Sequence, residues 1–424
     1  MKEDFLHYVW QYQLFNKQHL KTTLGERVVV YKPGYHNQNS GPDFTEAKLQ
    51  IGEQLWVGNV EIHRKASDWY VHNHETDRAY DTVILHVVWE DDMPVFRNNN
   101  TPVSTLELEG LIPKYLYNNY LKLFQKEKRW IACENSLYSI DSFIQQHWME
   151  RLYIERLNNK SIHIAKLLKN TVNNWESVLF QLLMKGYGLK LNGVNFEEIA
   201  SNIDFSIVRK ESNEHIKLEA LLFGQAGLLE GQKEDAYFIE LQSIYQFQKN
   251  KYSLGNETKV QFFRLRPPNF PTIRLAQIAD LLSGNQYLFQ ELMSETGIEK
   301  LHYLLEARAG SYWDTHYTFA KESKKRVKRT SKSFLDLLLI NTIVPLKFSY
   351  QKAVGQLDAE NILTLIQQIK PEQNTIVKNF EKRKIVAANA METQALLTLK
   401  NEYCDKQSCL QCEIGMRILK RENQ

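Results

Sequence analysis

The apolar residues of this chain change their period once, near residue 113, and no other feature constrains the fold as much. Before that point ERVVVYKPG (26–34), TEAKLQIG (45–52), QLWVGNVEIH (54–63), TVILHVVWE (82–90) and STLELEG (104–110) are short β-branched or aromatic runs bounded by Gly, Pro, Asn and Asp, the pattern of strands. The Ile51-Gly52-Glu53 link predicts a tight hairpin between the second and third runs. Ahead of them, Phe5, Tyr8, Val9, Tyr12 and Phe15 recur at helical spacing. From Pro113 onward apolar residues stand three and four apart, over 113–130, 141–170, 175–192 and 218–231, and the pattern is almost wholly helical.

The expectation is an α+β chain: an α/β domain with a mixed sheet over 1–112, then helical regions over 113–262 and 263–424. The second cut falls at FRLRPPNFPTIRLAQIADLL (263–282), where three prolines interrupt the helical period before it restarts. In a chain of 424 residues, a content of 43% hydrophobic and 12% aromatic residues is ample for real cores. A formal charge of +3, from 53 basic and 50 acidic residues, excludes a partner chosen by bulk electrostatics, so any basic surface is local. The most apolar run, SFLDLLLINTIVPLKF (333–348), is interrupted by Asp336, Asn341 and Pro345 and reads as a buried helix, so no membrane span is expected. The first twenty residues lack a secretion signal, and with four cysteines this suggests a reducing, cytoplasmic setting.

Chemistry-bearing side chains concentrate early. Six of the twelve histidines lie in the first 75 residues, and His63, His72, His74 and His86 fall within one short stretch. Strand alternation puts Glu61 and His63 on one face and Val60 and Ile62 on the other. Asp43, at the head of one strand, and Glu61, on its hairpin neighbour, supply two carboxylates of the kind a hard divalent cation such as Mg²⁺ or Mn²⁺ requires. In that arrangement His63 positions or deprotonates water, with Lys65 or Lys48 as the nearby cation. An alternative takes His63, His74 and His86 as three imidazoles of a zinc site with an open fourth position, His72 lying beside them. A third reading leaves His86 as a hydrogen-bonded core histidine, with Trp69 and Tyr80 packing the loop.

At the far end, YCDKQSCLQCEIG places Cys404, Cys409 and Cys412 as CxxxxCxxC, with Cys133 the one other cysteine. This spacing suits a thiolate site for zinc or an iron–sulfur cluster, Cys133 completing four ligands if the tail folds back. KESKKRVKRTSK (321–332), with Lys324, Lys325 and Arg326, and RLRPPNFPTIR, with Arg264, Arg266 and Arg274, are candidate phosphate contacts for nucleic acid. Their plainer roles are a solvated charge run and a structural anchor. Gly224, Gly227 and Gly231 in LLFGQAGLLEG predict close helix packing and carry no phosphate-binding fingerprint.

Pro42-Asp43 and Glu61-Ile62-His63, in the order helix, strands, helix, strand, resemble the PD-(D/E)XK nuclease superfamily, with His63 where those enzymes carry lysine. The resemblance implies a metal-dependent phosphodiesterase acting on nucleic acid, and the lost lysine equally suits a non-catalytic nucleic-acid-binding or scaffold protein. Some such nucleases hold an iron–sulfur cluster with one distant and three clustered cysteines, although their distant cysteine precedes the nuclease core and Cys133 follows it. Over nearly its whole length, through SGPDF, GNVEIH, SDW, HNH, VILHVV, EALLFGQAGLLEG, RLRPPNFPTIRLAQIA and the cysteine tail, the chain resembles the uncharacterised bacterial family called domain of unknown function 2851, found largely in Bacteroidetes.

Overall fold

The computed structural model describes residues 1–125, 129–255 and 257–422. The chain divides into two compact units, one of residues 1–148, 382–385 and 399–424 and one of residues 149–381 and 386–398. The cuts expected after residues 112 and 262 fall inside these units. Residues 113–148 stay with the sheet because helix α3 (below) buries Leu116, Tyr120 and Leu123 in the sheet's core. The proline-rich stretch lies inside the helical unit.

The first unit is built on a mixed six-stranded sheet. Helix α1 (Glu3–Gln11) precedes β1 (Val28–Lys32), β2 (Tyr35–His36), β3 (Phe44–Ile51) and β4 (Gln54–Lys65). A short helix α2 (Asp68–Val71) then leads to β5 (Val83–Glu90), β6 (Thr105–Glu107) and α3 (Lys114–Leu123). The helical reading of 113–130 runs over residues 126–128, which lie outside the described residues. The sheet order is β1-β3-β4-β5-β6, with the short β2 also on β3. Strands β3 and β4 close on a two-residue turn, Ile51 facing Gln54, as the Gly-Glu link requires. Strands β4 and β5 run parallel, so the chain must cross over between them, and α2 with its loop is that crossover.

Strand β4 is central, and its stretch from Val60 to His63 is buried on both faces. Val60 and Ile62 join Leu85 and Val87 in a core with Phe5, Leu6, Val9 and Trp10 of α1. The opposite face carries Glu61 and His63, with His86 directly beside Glu61 in the parallel register. A second, smaller core of Ala66, Trp69, Tyr80, Val83, Val88, Val95 and Val103 lies under α2. Trp69 is fully buried and donates its indole N–H to the carbonyl of Phe96 at 3.2 Å, pinning α2 to the following loop.

The helical unit contains the hairpin of Trp175–Tyr187 with Leu189–Ser201 and the pair His215–Gln225 with Ala236–Tyr252. Gly224 shows why the glycine-rich helix needs its glycine: a Cβ there would lie 2.1 Å from the ring of Tyr245 on the partner helix. The helical period restarts with Pro271 at the head of Pro271–Gly284, where its missing N–H costs nothing. The helical run Lys332–Ala353 is long and apolar enough to cross a membrane, yet 72% of its apolar window is buried inside the structure. Its middle turn, Leu339–Ile343, widens to π-helical geometry just before Pro345, which offers no N–H to the turn above.

Candidate metal centre

Three backbone features deliver the early histidines to one place. Strand β4 points Glu61 and His63 away from the α1 side, and the parallel register sets His86 next to them. Helix α2 stops at Val71, and Asn73 takes a left-handed conformation (φ 59°) that turns the chain back, closed by a His74 N–H to Trp69 carbonyl bond of 3.0 Å. His74 thereby stacks flat on Tyr80 with ring centroids 3.7 Å apart, while His72 remains exposed.

Side-chain nitrogens converge as a result. His63 Nε2 is 3.0 Å from His72 Nδ1, and His63 and His74 stack with centroids 5.2 Å apart. Among the described residues, His63, His72 and His74 form a group whose ligand atoms all lie within 4.8 Å of one another. Glu61 Oε1 lies 3.2 Å from His74 Nε2 and 3.6 Å from His63 Nε2. His86, fully buried, holds its Nε2 2.8 Å from His63 Nδ1. When the His63 Nδ1–H is donated to His86 Nε2, the His63 Nε2 lone pair is left facing His72 Nδ1.

The carboxylates are held by backbone. Asp43 donates its N–H to Glu61 Oε2 at 3.1 Å, and Ile62 donates its N–H to Asp43 Oδ2 at 3.0 Å, so each carboxylate is fixed by the other strand. His7 Nε2, from α1, reaches Asp43 Oδ2 at 3.2 Å, and its ring lies 5.3 Å from that of His36. Electrostatics follow burial. The His63 imidazolium is disfavoured by burial and then by His86, His74 and His72, which pull its pKa down to about 2. Burial, helped by His74, takes His86 down to about 3. Burial raises Glu61, as does the charge of Asp43, against a lowering contact from His74. Glu3, one helical turn from His7, is raised to about 7 by burial. Burial opposes the charge on His7, but the Asp43 carboxylate outweighs it and raises its pKa.

The cluster is thus a set of imidazoles, with His63 and His86 held neutral, converging beside a buried carboxylate. Neutral imidazole is the form that ligates a metal, and nitrogen donors suit zinc, iron or copper better than Mg²⁺, which prefers oxygen.

The structure brings together Asp43, Glu61, His63, His72 and His74, and sets His86 behind His63 rather than among the converging lone pairs. It does not bring Lys65 with them: its ammonium pairs with Glu90 and Asp92 at 3.3 and 3.7 Å. Lys48 pairs across the ladder with Val57, well down the strand from Glu61. In the helical unit Arg264, Arg266, Lys324, Lys325 and Arg326 are exposed. Arg274 is buried over the Phe334 ring at 3.6 Å and bonded to Gln277 and Asn269, a structural anchor. All four cysteines lie in the first unit. Sequence reasoning missed Glu3, His7 and His36; the i, i+4 spacing of Glu3 and His7 on an amphipathic helix was the available signal for the first two.

Fold and site together describe an α+β protein whose N-terminal mixed sheet carries a histidine-rich, metal-competent cluster. The chain belongs to the DUF2851 family of proteins of unknown function, which it matches over residues 3–375. That span includes the histidine cluster and ends before the three clustered cysteines. No curated protein and no solved structure matches the chain.

Proposed function

We propose that the N-terminal unit is a metal-dependent hydrolase whose ion is held by His63, His72 and His74. The observation that carries this reading is the convergence of those three ring nitrogens within 4.8 Å beside the Glu61 carboxylate. When bound, a transition-metal ion supplies Lewis acidity and an acidified water at neutral pH. The protein's own residues do the rest. His86 fixes the His63 tautomer, as partners of ligating histidines do. Glu61, raised by burial, is placed to accept a proton from water, and the exposed His72 marks the open side from which a substrate approaches.

The test measures bound metal in purified protein together with hydrolysis of bis(p-nitrophenyl) phosphate and of a p-nitrophenyl ester. Stoichiometric zinc, iron or manganese that is lost in His72→Ala and His74→Ala, with turnover lost in parallel, is the expected result. Metal loss without any turnover in the parent would leave a non-catalytic scaffold.

A second reading rests on the reciprocal backbone locking of Asp43 and Glu61. Two fixed carboxylates on neighbouring strands, after a helix and before a crossover helix, suit a PD-(D/E)XK-like nuclease using Mg²⁺ or Mn²⁺ on nucleic acid, with His63 in the lysine position. It predicts cleavage that survives His72→Ala and fails in Asp43→Asn.

A further inference from the structure

The cysteine tail lies beyond the residues that match the family, yet it is built into the first unit with care. Cys404 ends a π-helical turn, Leu399–Cys404, of the kind often found at functional sites. The chain then turns so that Cys412 donates its N–H to the Cys409 carbonyl at 3.3 Å and caps helix Glu413–Leu419. Gly415 sits so close that a Cβ would come 2.1 Å from the Cys409 oxygen, so the CxxC turn is wound tightly on the first turn of that helix. Asn119 of α3 donates to the carbonyls of Ile418, Leu419 and Arg421 at 3.3, 3.2 and 2.8 Å and fastens the helix end.

Cys133 arrives from the other end of the sequence. It packs against the core that contains Cys409, and its neighbour Glu134 is clamped by Arg383 at 2.6 Å. Burial raises all four thiols. Cys133 thus packs on the core that holds Cys409, Cys412 is bonded to Cys409 through the backbone, all four cysteines belong to the first unit, and none is in a disulfide.

We propose that Cys133, Cys404, Cys409 and Cys412 form a four-thiolate metal centre, separate from the histidine cluster, that ties the tail to the residue 133 segment. Its ligands are soft sulfur, which selects zinc or an iron–sulfur cluster over Mg²⁺ or Mn²⁺. The centre is structural: it bridges segments far apart in sequence, which is where a crosslink restricts the unfolded chain most.

The experiment uses full-length protein carrying His72→Ala and His74→Ala, so that metal at the histidines does not contribute. Purified without oxygen, it is analysed for iron, acid-labile sulfide and zinc, and compared with the same protein carrying Cys412→Ser. Iron with sulfide and visible absorption, or colourless protein with stoichiometric zinc, supports the centre if the metal falls at least severalfold in the cysteine variant. If Cys412→Ser fails to fold, alkylation of the parent by iodoacetamide gives the answer: thiols protected until a chelator is added support the proposal. Thiols that alkylate freely in folded protein, a Cys409–Cys412 disulfide, or metal indifferent to Cys412→Ser would overturn it. Failure of the hydrolase reading would appear separately, as no turnover in the parent protein, or as turnover and metal content that do not fall in the histidine variants.

Discussion

In the helical unit Lys347 is buried and its pKa is drawn down to about 8 by burial, yet its ammonium donates to the carbonyls of Leu292, Met293 and Glu295 at 2.9, 2.7 and 2.8 Å. Those carbonyls close the end of helix Leu288–Ser294, so the charge is a C-terminal cap. Glu219 in the same unit is fully buried and raised to about 7, and its Oε1 accepts the Trp313 indole N–H at 2.6 Å. In the sheet unit the buried groups differ in kind: His63, His74 and Glu61 face one another and His72, all side chains that can also accept. A perturbed ionisation therefore does not mark a site by itself. Burial perturbs Lys347 while it completes a helix end, and burial perturbs His63 and His86 where imidazoles converge beside Glu61, so it is the partners that tell the two apart.

The strongest way to break this contrast is to remove one member from each side. Glu61→Gln keeps the shape of the side chain and its place beside the Asp43 N–H but withdraws the base, and hydrolysis is expected to fall by about 10²- to 10⁴-fold with little change in melting temperature. His86→Ala touches no lone pair in the cluster and is expected to weaken metal affinity by roughly 10- to 100-fold by freeing the His63 ring, read by competition with a chromogenic chelator. Lys347→Met should do the reverse. It strands helix-end carbonyls in the interior, at about 2–4 kcal/mol in urea unfolding, and leaves metal content unchanged.

That division was only partly legible in the sequence. Glu61 and His63 on one strand face, the tight hairpin and the buried character of the 333–348 run all follow from period and turn chemistry, because these are local properties. The identity of the third imidazole was not local. Nothing in the spacing distinguishes His72 from His86; the left-handed Asn73 and the parallel register decide it, sending His86 to bond the back of His63. His7 was signalled only by its i, i+4 spacing from Glu3, and that spacing does not say that the polar edge of the helix meets Asp43. Lys347 could not be foreseen as a cap, because its carbonyl partners come from a helix more than fifty residues earlier.

Acid should sharpen the comparison in metal-free protein. His63 and His86 titrate near 6.5 when unfolded but are held to about 2 and about 3 when folded. Between those limits the unfolded chain binds more protons, so stability is full above about pH 6.5 and is lost as pH falls, by up to about 1.4 kcal/mol per pH unit for each ring. Glu3, raised to about 7, works oppositely: protonated in the fold above the unfolded value of 4.5, it offsets part of the loss. Urea midpoints from pH 7 to pH 4 should therefore decline more steeply for the parent than for His86→Phe, which removes one titrating ring. Bound metal should raise the midpoint at pH 7 and steepen the decline, since protons then compete with the ion for its ligands as pH falls.

Lys65 offers the smallest effect and the cleanest discrimination. It stands two residues beyond His63 on the same strand face, where a nuclease-like reading would seek its cation, yet its ammonium is engaged by Glu90 and Asp92 near the surface. Such an exposed pair contributes about 0–1 kcal/mol, so Lys65→Ala is expected to shift the melting temperature little and to leave metal content and hydrolysis at parent values. A large loss of turnover in this variant, with metal retained, would mean that the lysine swings from its acidic partners to the reacting group. The carboxylate pair Asp43 and Glu61, rather than the imidazoles, would then be the working half of the site.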